Sequence, residues 1–352
     1  LLKYERILSP SPTTEARKVS EAPLLGLVEQ TNDEYHAGPG ISKSKLDAVS
    51  ISALEYWDQY VNPDREPREE KHCFAVGDGT HKIILEPGTF EHTYAVDFDR
   101  SAFPNALDTA DDMKRVLSEQ MLMTNGTKVE LARRLIEEAN YPRNQIMMLL
   151  KQDHEASMAG KIAIPARDYK NMLGMLKAVK GHHTASGLLE GAYTEQSFYA
   201  EMPFEYIDHE TGKVVQTTHL RKCRTDAISA NGLVIPDLKT TEDVSEVGFG
   251  ITIHKRRYHV QAAWYLDILR YLYGDDAPEV FCFIAVQKNR PHDVAVHILK
   301  EDDIQLGRLI YQRDLARLSN AMAKNHWPGV DGGKTIYAKI PHYAFRDMQE
   351  AQ

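Results

Sequence analysis

Hydrophobic and polar positions follow two different patterns along this chain, and the change between them divides it. Helical stripes, with apolar residues three and four apart, come first. Met113, Val116 and Leu117 make one stripe, and Leu131, Leu135 and Ile136 make another. Thr109 with Asp112, and Thr127 with Glu130, have the spacing of capping boxes, and Asn125-Gly126 supplies the turn between the two helices. In 75–87 the same spacing sets His81, Ile84 and Leu85 on one face, and Pro87 ends the element. Upstream, Gly38-Pro39-Gly40 reads as a turn and Ser42 as the N-cap of a helix with Lys43 and Lys45 in its first turn. Cations there oppose the helix dipole, and a bound phosphate would offset that cost.

From residue 195 to 240 the pattern becomes that of strands. QSFYAEMPFEYI and VVQTTHLRKCRTDAI flank Glu210-Thr211-Gly212, a hairpin turn. Asn231-Gly232 then leads into LVIPDLKTT, which predicts that the strand ending near Asp226 pairs with the strand carrying Asp237. Pro236 has no N–H for a ladder, so an edge or bulge is expected there. Val260, Trp264, Ile268 and Leu272 give the clearest helix, over 256–273. Strands follow at 279–287 and 292–299, then a long amphipathic helix at 301–323. This order predicts an α/β fold, a central mixed sheet flanked by helices. The expected divisions are a tail at 1–30, a first part of the core at 31–105, a helical insertion at 106–140 and the rest of the core at 141–352.

Composition narrows the classes. The chain has 352 residues, 42% of them hydrophobic, which is ordinary for a globular protein with a sizeable core. No apolar run is long enough to span a bilayer and no signal-peptide pattern opens the chain. The first residue is Leu1 rather than Met, as in a fragment or processed product. Cys73, Cys223 and Cys282 are far apart and lack CxxC spacing, which argues for a reducing, cytoplasmic setting and against a zinc site. A net charge of -9 counts against broad nonspecific DNA binding. The cations are grouped, however: Arg221, Lys222 and Arg224 in one cluster, His254, Lys255, Arg256 and Arg257 in another. An acidic exterior with a basic channel fits both facts.

The chemistry concentrates at Asp226 and at Asp237-Leu238-Lys239. Strand alternation points Asp237 and Lys239 the same way. Two carboxylates converging with an ammonium suit a magnesium site beside an attacking water, with Mn²⁺ as a substitute. Taken singly, Asp-x-Lys also fits a solvated strand face, His81 a structural histidine, and Gln261 with Tyr265 an ordinary helix flank.

Taken together and in order, these signals resemble the PD-(D/E)xK nuclease superfamily, and within it RecE-type exodeoxyribonuclease VIII of prophages. The stretches that carry the resemblance are DEYHAGPGISKSKLD (33–47), VGDGTHKIILEP (76–87), CRTDAI (223–228), PDLKTT (236–241) and YHVQAAWYLD (258–267). It implies a restriction-endonuclease-like core. His81, Asp226 and Asp237 would bind divalent metal with the Leu238 carbonyl, and Glu195 would assist a second ion. Lys239 would orient or deprotonate the water, Gln261 and Tyr265 would position the strand or the lysine, and Ser42 and Lys43 would hold phosphate. Asp237 stands where many members carry Glu, one methylene longer. The resemblance further implies 5′-to-3′ digestion of duplex DNA ends, a ring-shaped homo-oligomer, and a RecT-like single-strand annealing partner. An endonuclease and a DNA-binding accessory protein on the same fold are the alternatives. A four-cysteine iron–sulfur cluster is excluded by the three cysteines.

Residues 109–140 resemble a SAP module, a small helical DNA-binding unit. The matching positions are Met113, Lys114, Leu117, Leu122, Gly126, Thr127, Lys128, Glu130, Leu131, Arg134 and Leu135. That resemblance implies DNA contacts from Lys128 and Arg134. Lys255 and Arg256 are further candidates for the channel. A helical hairpin without a DNA role is the alternative.

Overall fold

The computed structural model describes residues 25–65, 72–208 and 210–340. Strand β1 (Gly26–Val28) precedes helices α1 (Asn32–Ala37), α2 (Lys43–Ile51), α3 (Ala53–Tyr60) and α4 (His72–Leu85). Two short parallel strands, β2 (Tyr94–Val96) and β3 (Ile162–Ile164), bracket α5 (Ala110–Glu119), α6 (Lys128–Glu137) and α7 (Met147–Ser157). Next come α8 (Ala166–Gly181), α9 (His183–Leu189) and a long antiparallel hairpin, β4 (Tyr193–Ile207) and β5 (Val214–Ile228). The chain continues through β6 (Val234–Thr241), α10 (Glu246–Lys255), α11 (Tyr258–Tyr273), β7 (Val280–Gln287), β8 (Val294–Ile298) and α12 (Glu301–Lys324).

The architecture is α/β, with mixed sheet flanked by helices, as the sequence predicts. β6 runs parallel to β7, with Asp237 beside Phe283, and β8 returns antiparallel. β7 is buried along nearly its whole length, which is why it reads as an unbroken apolar run. Beneath it α11 buries Val260, Trp264 and Ile268 against the faces of β4 and β5. α12 packs closely on α11, because Gly307 faces the His259 carbonyl where a Cβ would lie 2.1 Å from the oxygen. The Arg308 guanidinium grips Asp267 bidentately across the same helix pair at 2.7 and 2.8 Å. On the other sheet face Leu238, Ile284 and Val286 pack with Met172 and Met175 of α8 and Leu85 of α4. Gly79 lets α4 approach α8, since an added Cβ would sit 3.0 Å from Met172 Cε.

Several expectations are corrected. The Asn231-Gly232 turn forms, with Ser229 N–H on the Val234 carbonyl at 2.9 Å, but the pairing stops there. β5 stays in a sheet with β4 and β1, while β6 joins β7. The antiparallel register of Ser229 with Val234 would set Ala227 opposite Pro236, which has no N–H to give. One step on, the Leu238 N–H goes instead to Asp226 Oδ2 at 2.8 Å. The two strands therefore part at the two acids. The helix expected over 256–273 begins at Tyr258, because Arg257 adopts φ 56° and separates it from α10. Of the expected 1–30 tail, residues 1–24 lie outside the described residues; Gly26–Val28 pairs with Tyr199–Ser197, and three residues are too few to show alternation.

Both expected capping boxes form, on Thr109 and Thr127. The helical unit reaches past residue 140, because Met113, Leu117, Leu131 and Leu135 share their core with Leu107, Ile146 and Leu149. No helix among the described residues is long and apolar enough to cross a membrane.

Candidate active site

β6 presents Asp237 and Lys239 on the face opposite Leu238, whose side chain enters the core on the far side. Asp237 is completely buried, with the Lys239 ammonium against its Oδ2. Its Oδ1 accepts from Gln261 Nε2 at 2.5 Å. Gln261 lies in the first turn of α11, and Tyr265, four residues on and on the same side, lines the same cleft.

β5 supplies Asp226, and α4 supplies His81, whose Nδ1 lies 3.3 Å from Asp226 Oδ2. Glu195 comes from β4, directly across the hairpin, where φ 55° interrupts the ladder between the pairs Thr194–Ala227 and Gln196–Thr225. A positive φ is uncommon for a residue with a Cβ and marks a constrained position. Arg224, on the same strand face as Asp226, holds Glu195 Oε2 through Nε at 2.8 Å. Its Nη1 bonds Ser197 Oγ at 2.7 Å and the Gln30 carbonyl at 3.1 Å.

The ligand atoms of His81, Glu195 and Asp226 lie within 4.8 Å of one another. Burial and the charge of Asp226 push the Glu195 carboxyl up to about 7, against the pull of Arg224. Burial and Asp226 raise Asp237 to about 6, against Lys239. In both, burial comes first and the neighbouring acid second, and together they outweigh a cation in contact. Burial pulls Lys239 down, but Asp237 and Asp226 outweigh it and leave the ammonium firmly protonated. Burial raises the Tyr265 hydroxyl well above its ordinary value.

The opposite wall is the N-terminus of α2. Ser42 caps it through Lys45 N–H at 3.4 Å. Lys43 bonds Asp47 at 2.7 Å and the Arg256 carbonyl at 3.0 Å. Ser42, Lys43 and Ser44 line the cleft with Tyr35 and His36 of α1, around a cavity of about 310 Å³. Lys222, fully buried, pins this wall from beneath by donating to the carbonyls of Tyr35 and, at 2.8 Å, Gly38.

Nine of the residues singled out from sequence thus meet in one place: Ser42, Lys43, His81, Glu195, Asp226, Asp237, Lys239, Gln261 and Tyr265. The ligand atoms of Glu195 cluster with those of His81 and Asp226, Asp237 bonds Gln261 and pairs with Lys239, and the Leu238 N–H bonds Asp226. Lys239 lines the cleft as an ammonium that Asp237 and Asp226 hold protonated. Lys255 and Arg256 are exposed at the rim beside Lys43. Lys128 and Arg134 are not in the cleft. Lys128 lies 3.9 Å from Asp108, and Arg134 is spent on the carbonyls of Met123 and Asn125 at 2.7 and 2.9 Å.

Sequence reading took Arg224 only as part of a cation cluster and missed Asp78 and Lys82. Arg224 sits two residues before Asp226 on a strand, Asp78 three before His81 on a helix and Lys82 four after Asp78, so periodicity could have placed them along the cleft.

Comparison with known proteins agrees with this geometry. No curated protein matches the chain. A crystal structure of a "Putative exonuclease" from Eubacterium rectale shares 11% identity at a TM-score of 0.49, covering 90% of this chain and 98% of that one. A crystal structure of SSO0001 shares 18% identity at a TM-score of 0.22, covering 56% of this chain and 82% of that one. Both are too distant to bear on chemistry. The model of a family described as "PDDEXK-like domain of unknown function (DUF3799)" matches residues 42–339, a span that holds every cleft residue from Ser42 to Tyr265. The chain belongs to that PDDEXK-like family.

Proposed function

We propose that this protein is a metal-dependent exonuclease that degrades duplex DNA from its 5′ ends and leaves 3′ single strands. The observation that carries the reading is the convergence of His81, Glu195, Asp226, Asp237 and Lys239 on one cleft walled by a lysine-bearing helix N-terminus. The donors fit a small divalent cation. One imidazole and two carboxylates offer ligand atoms within 4.8 Å of one another, and burial beside Asp226 raises the proton affinity of Glu195 even against Arg224, which a cation would relieve. His81, Glu195 and Asp226 would hold Mg²⁺, with Mn²⁺ as a substitute, and the ion would polarise a phosphoryl oxygen and acidify a water.

The chain's own groups divide the remaining work. The Lys239 ammonium orients water by donating to it and stabilises charge that grows on phosphate oxygens. Gln261 fixes the rotamer of Asp237 and leaves its other oxygen facing Lys239. Arg224 keeps Glu195 aimed at His81 and Asp226. Ser42, Lys43 and the free N–H groups of α2 receive a phosphate of the substrate strand. Lys255 and Arg256 extend the cationic rim along the duplex. A homo-oligomeric ring around DNA and transfer of the 3′ strand to an annealing protein complete the proposal, on the strength of the RecE-type resemblance. In this reading the helical unit adds affinity for duplex.

The test is digestion of linear duplex labelled at the 5′ or the 3′ end, with and without Mg²⁺, beside a covalently closed circle. Early metal-dependent release of the 5′ label from linear DNA alone is the expected result. Cleavage of the circle would make the protein an endonuclease, and no digestion with any divalent cation would leave a DNA-binding accessory protein.

A further inference from the structure

The two walls of the cleft meet at one arginine. We propose that Arg257 is a positioning residue that locks the Lys43 end of α2 against the Gln261 end of α11; the inference rests on the nuclease reading above.

The backbone gives the first sign. Arg257 joins α10 to α11 with φ 56°, a conformation that glycine adopts freely and arginine does not. Such strain persists where the surroundings over-determine it. Here the side chain does so. Its Nε donates to Asp47 Oδ1 of α2 at 2.9 Å, and its Nη2 to Asp314 Oδ2 of α12 at 2.5 Å. Asp314 is fully buried, so the guanidinium is held at a fixed depth.

Both walls are tied to this point. Asp47 turns its other oxygen to Lys43, at 2.7 Å, and Lys43 also bonds the carbonyl of Arg256, the preceding residue, at 3.0 Å. On the other side the Arg257 carbonyl receives the N–H groups of Val260 and Gln261 at 3.1 and 3.2 Å and so opens α11. A rotation of the 256–257 segment would therefore move Lys43 and Gln261 together. Gln261 sets Asp237, and Lys43 faces the phosphate. Lysine cannot substitute, because one ammonium lacks the planar fork that reaches carboxylates on two helices.

The test is a double-mutant cycle on a linear duplex with Mg²⁺, using Arg257→Lys and Lys43→Ala. Arg308→Lys serves as the control, since Arg308 bridges α11 and α12 without touching the cleft. Arg257→Lys is expected to lower kcat/KM about tenfold, the scale of a misplaced reacting group. Adding Lys43→Ala should then cost less than about twofold more, whereas Arg308→Lys and Lys43→Ala should multiply independently. Independent losses for the Arg257 pair, or wild-type kinetics of Arg257→Lys, would overturn the proposal. The same cycle read as anisotropy of a labelled duplex in Ca²⁺ needs no turnover. If the wild type binds but does not cleave, the nuclease reading falls, while coupling or its absence in binding still decides the role of Arg257.

Discussion

The cleft and the helical unit solve opposite problems with the same residue types. In the unit at 107–149, charges lie outside and leucines inside. Lys114, Arg115, Lys128, Arg133 and Arg134 each have an acidic neighbour within 4.0 Å, and the Thr127 box satisfies its own helix end. In the cleft the charges are inside. Asp237, Lys239, Glu195 and Arg224 are buried or nearly so, and two of the acids hold protons close to neutral pH. The unit satisfies its groups within itself, partly three or four residues apart along a helix and partly across its own loops. The cleft needs partners from β4, β5, β6, α4 and α11, and burial still leaves two of its acids with raised proton affinity. Unmet polar demand separates a site from a scaffold here more sharply than the mere presence of charge.

The contrast can be broken in several ways. Lys239→Ala should lower turnover of end-labelled duplex on the order of 10³-fold while the thermal transition stays within a few degrees, because the group acts on developing charge. Turnover above about a tenth of wild type would remove Lys239 from the chemistry. Leu131→Ala in the unit should do the reverse. It should cost about 3 kcal/mol of stability, seen in a denaturant titration, with kcat at saturating DNA unchanged.

Glu195→Gln tests the carboxyl that burial and Asp226 raise. Calorimetric Mg²⁺ affinity should fall about tenfold or more, since ligand carboxylates must be ionised. In the wild type the affinity should rise from pH 6 to 8 as a carboxyl near 7 loses its proton, and in the variant that slope should flatten. The stability sign runs the other way. The folded carboxyl, at about 7, holds its proton more tightly than the ordinary 4.5. Its contribution to stability is complete below about 4.5 and is lost as pH rises through 7, by about 3 kcal/mol without metal. Metal-free wild type should therefore lose melting temperature relative to Glu195→Gln across that window; parallel profiles would contradict it. Smallest of all, replacing the helical unit with a short linker should weaken duplex affinity by less than about tenfold, because its cations are already paired. A larger loss would show that the pairs open on DNA.

How much of this was legible in sequence follows the same division. The unit was readable nearly residue by residue, because capping boxes and stripes are local. In the cleft the residue types were legible, since Asp237-Leu238-Lys239 and the GDGTH helix impose their own periodicity. Their grouping was not. Pro236 signalled an edge, but only the fold shows Leu238 turning its N–H to the Asp226 carboxylate. Glu195 entered the trio through a backbone twist that no alternation predicts. Arg257, at the start of an expected helix, read as one more member of a cation cluster.

The position of the helical unit has a consequence for how such a protein can change. It lies wholly within the crossover between β2 and β3, two adjacent parallel strands that bond at three positions. Chain entering and leaving this crossover needs to span only about a strand's length, and the entropy of closing a loop grows slowly with its length. The crossover is therefore a docking port in the gene as much as in the molecule. A lineage could lengthen, exchange or lose the unit in one step, and the cleft would register the change only as a different way of meeting its substrate.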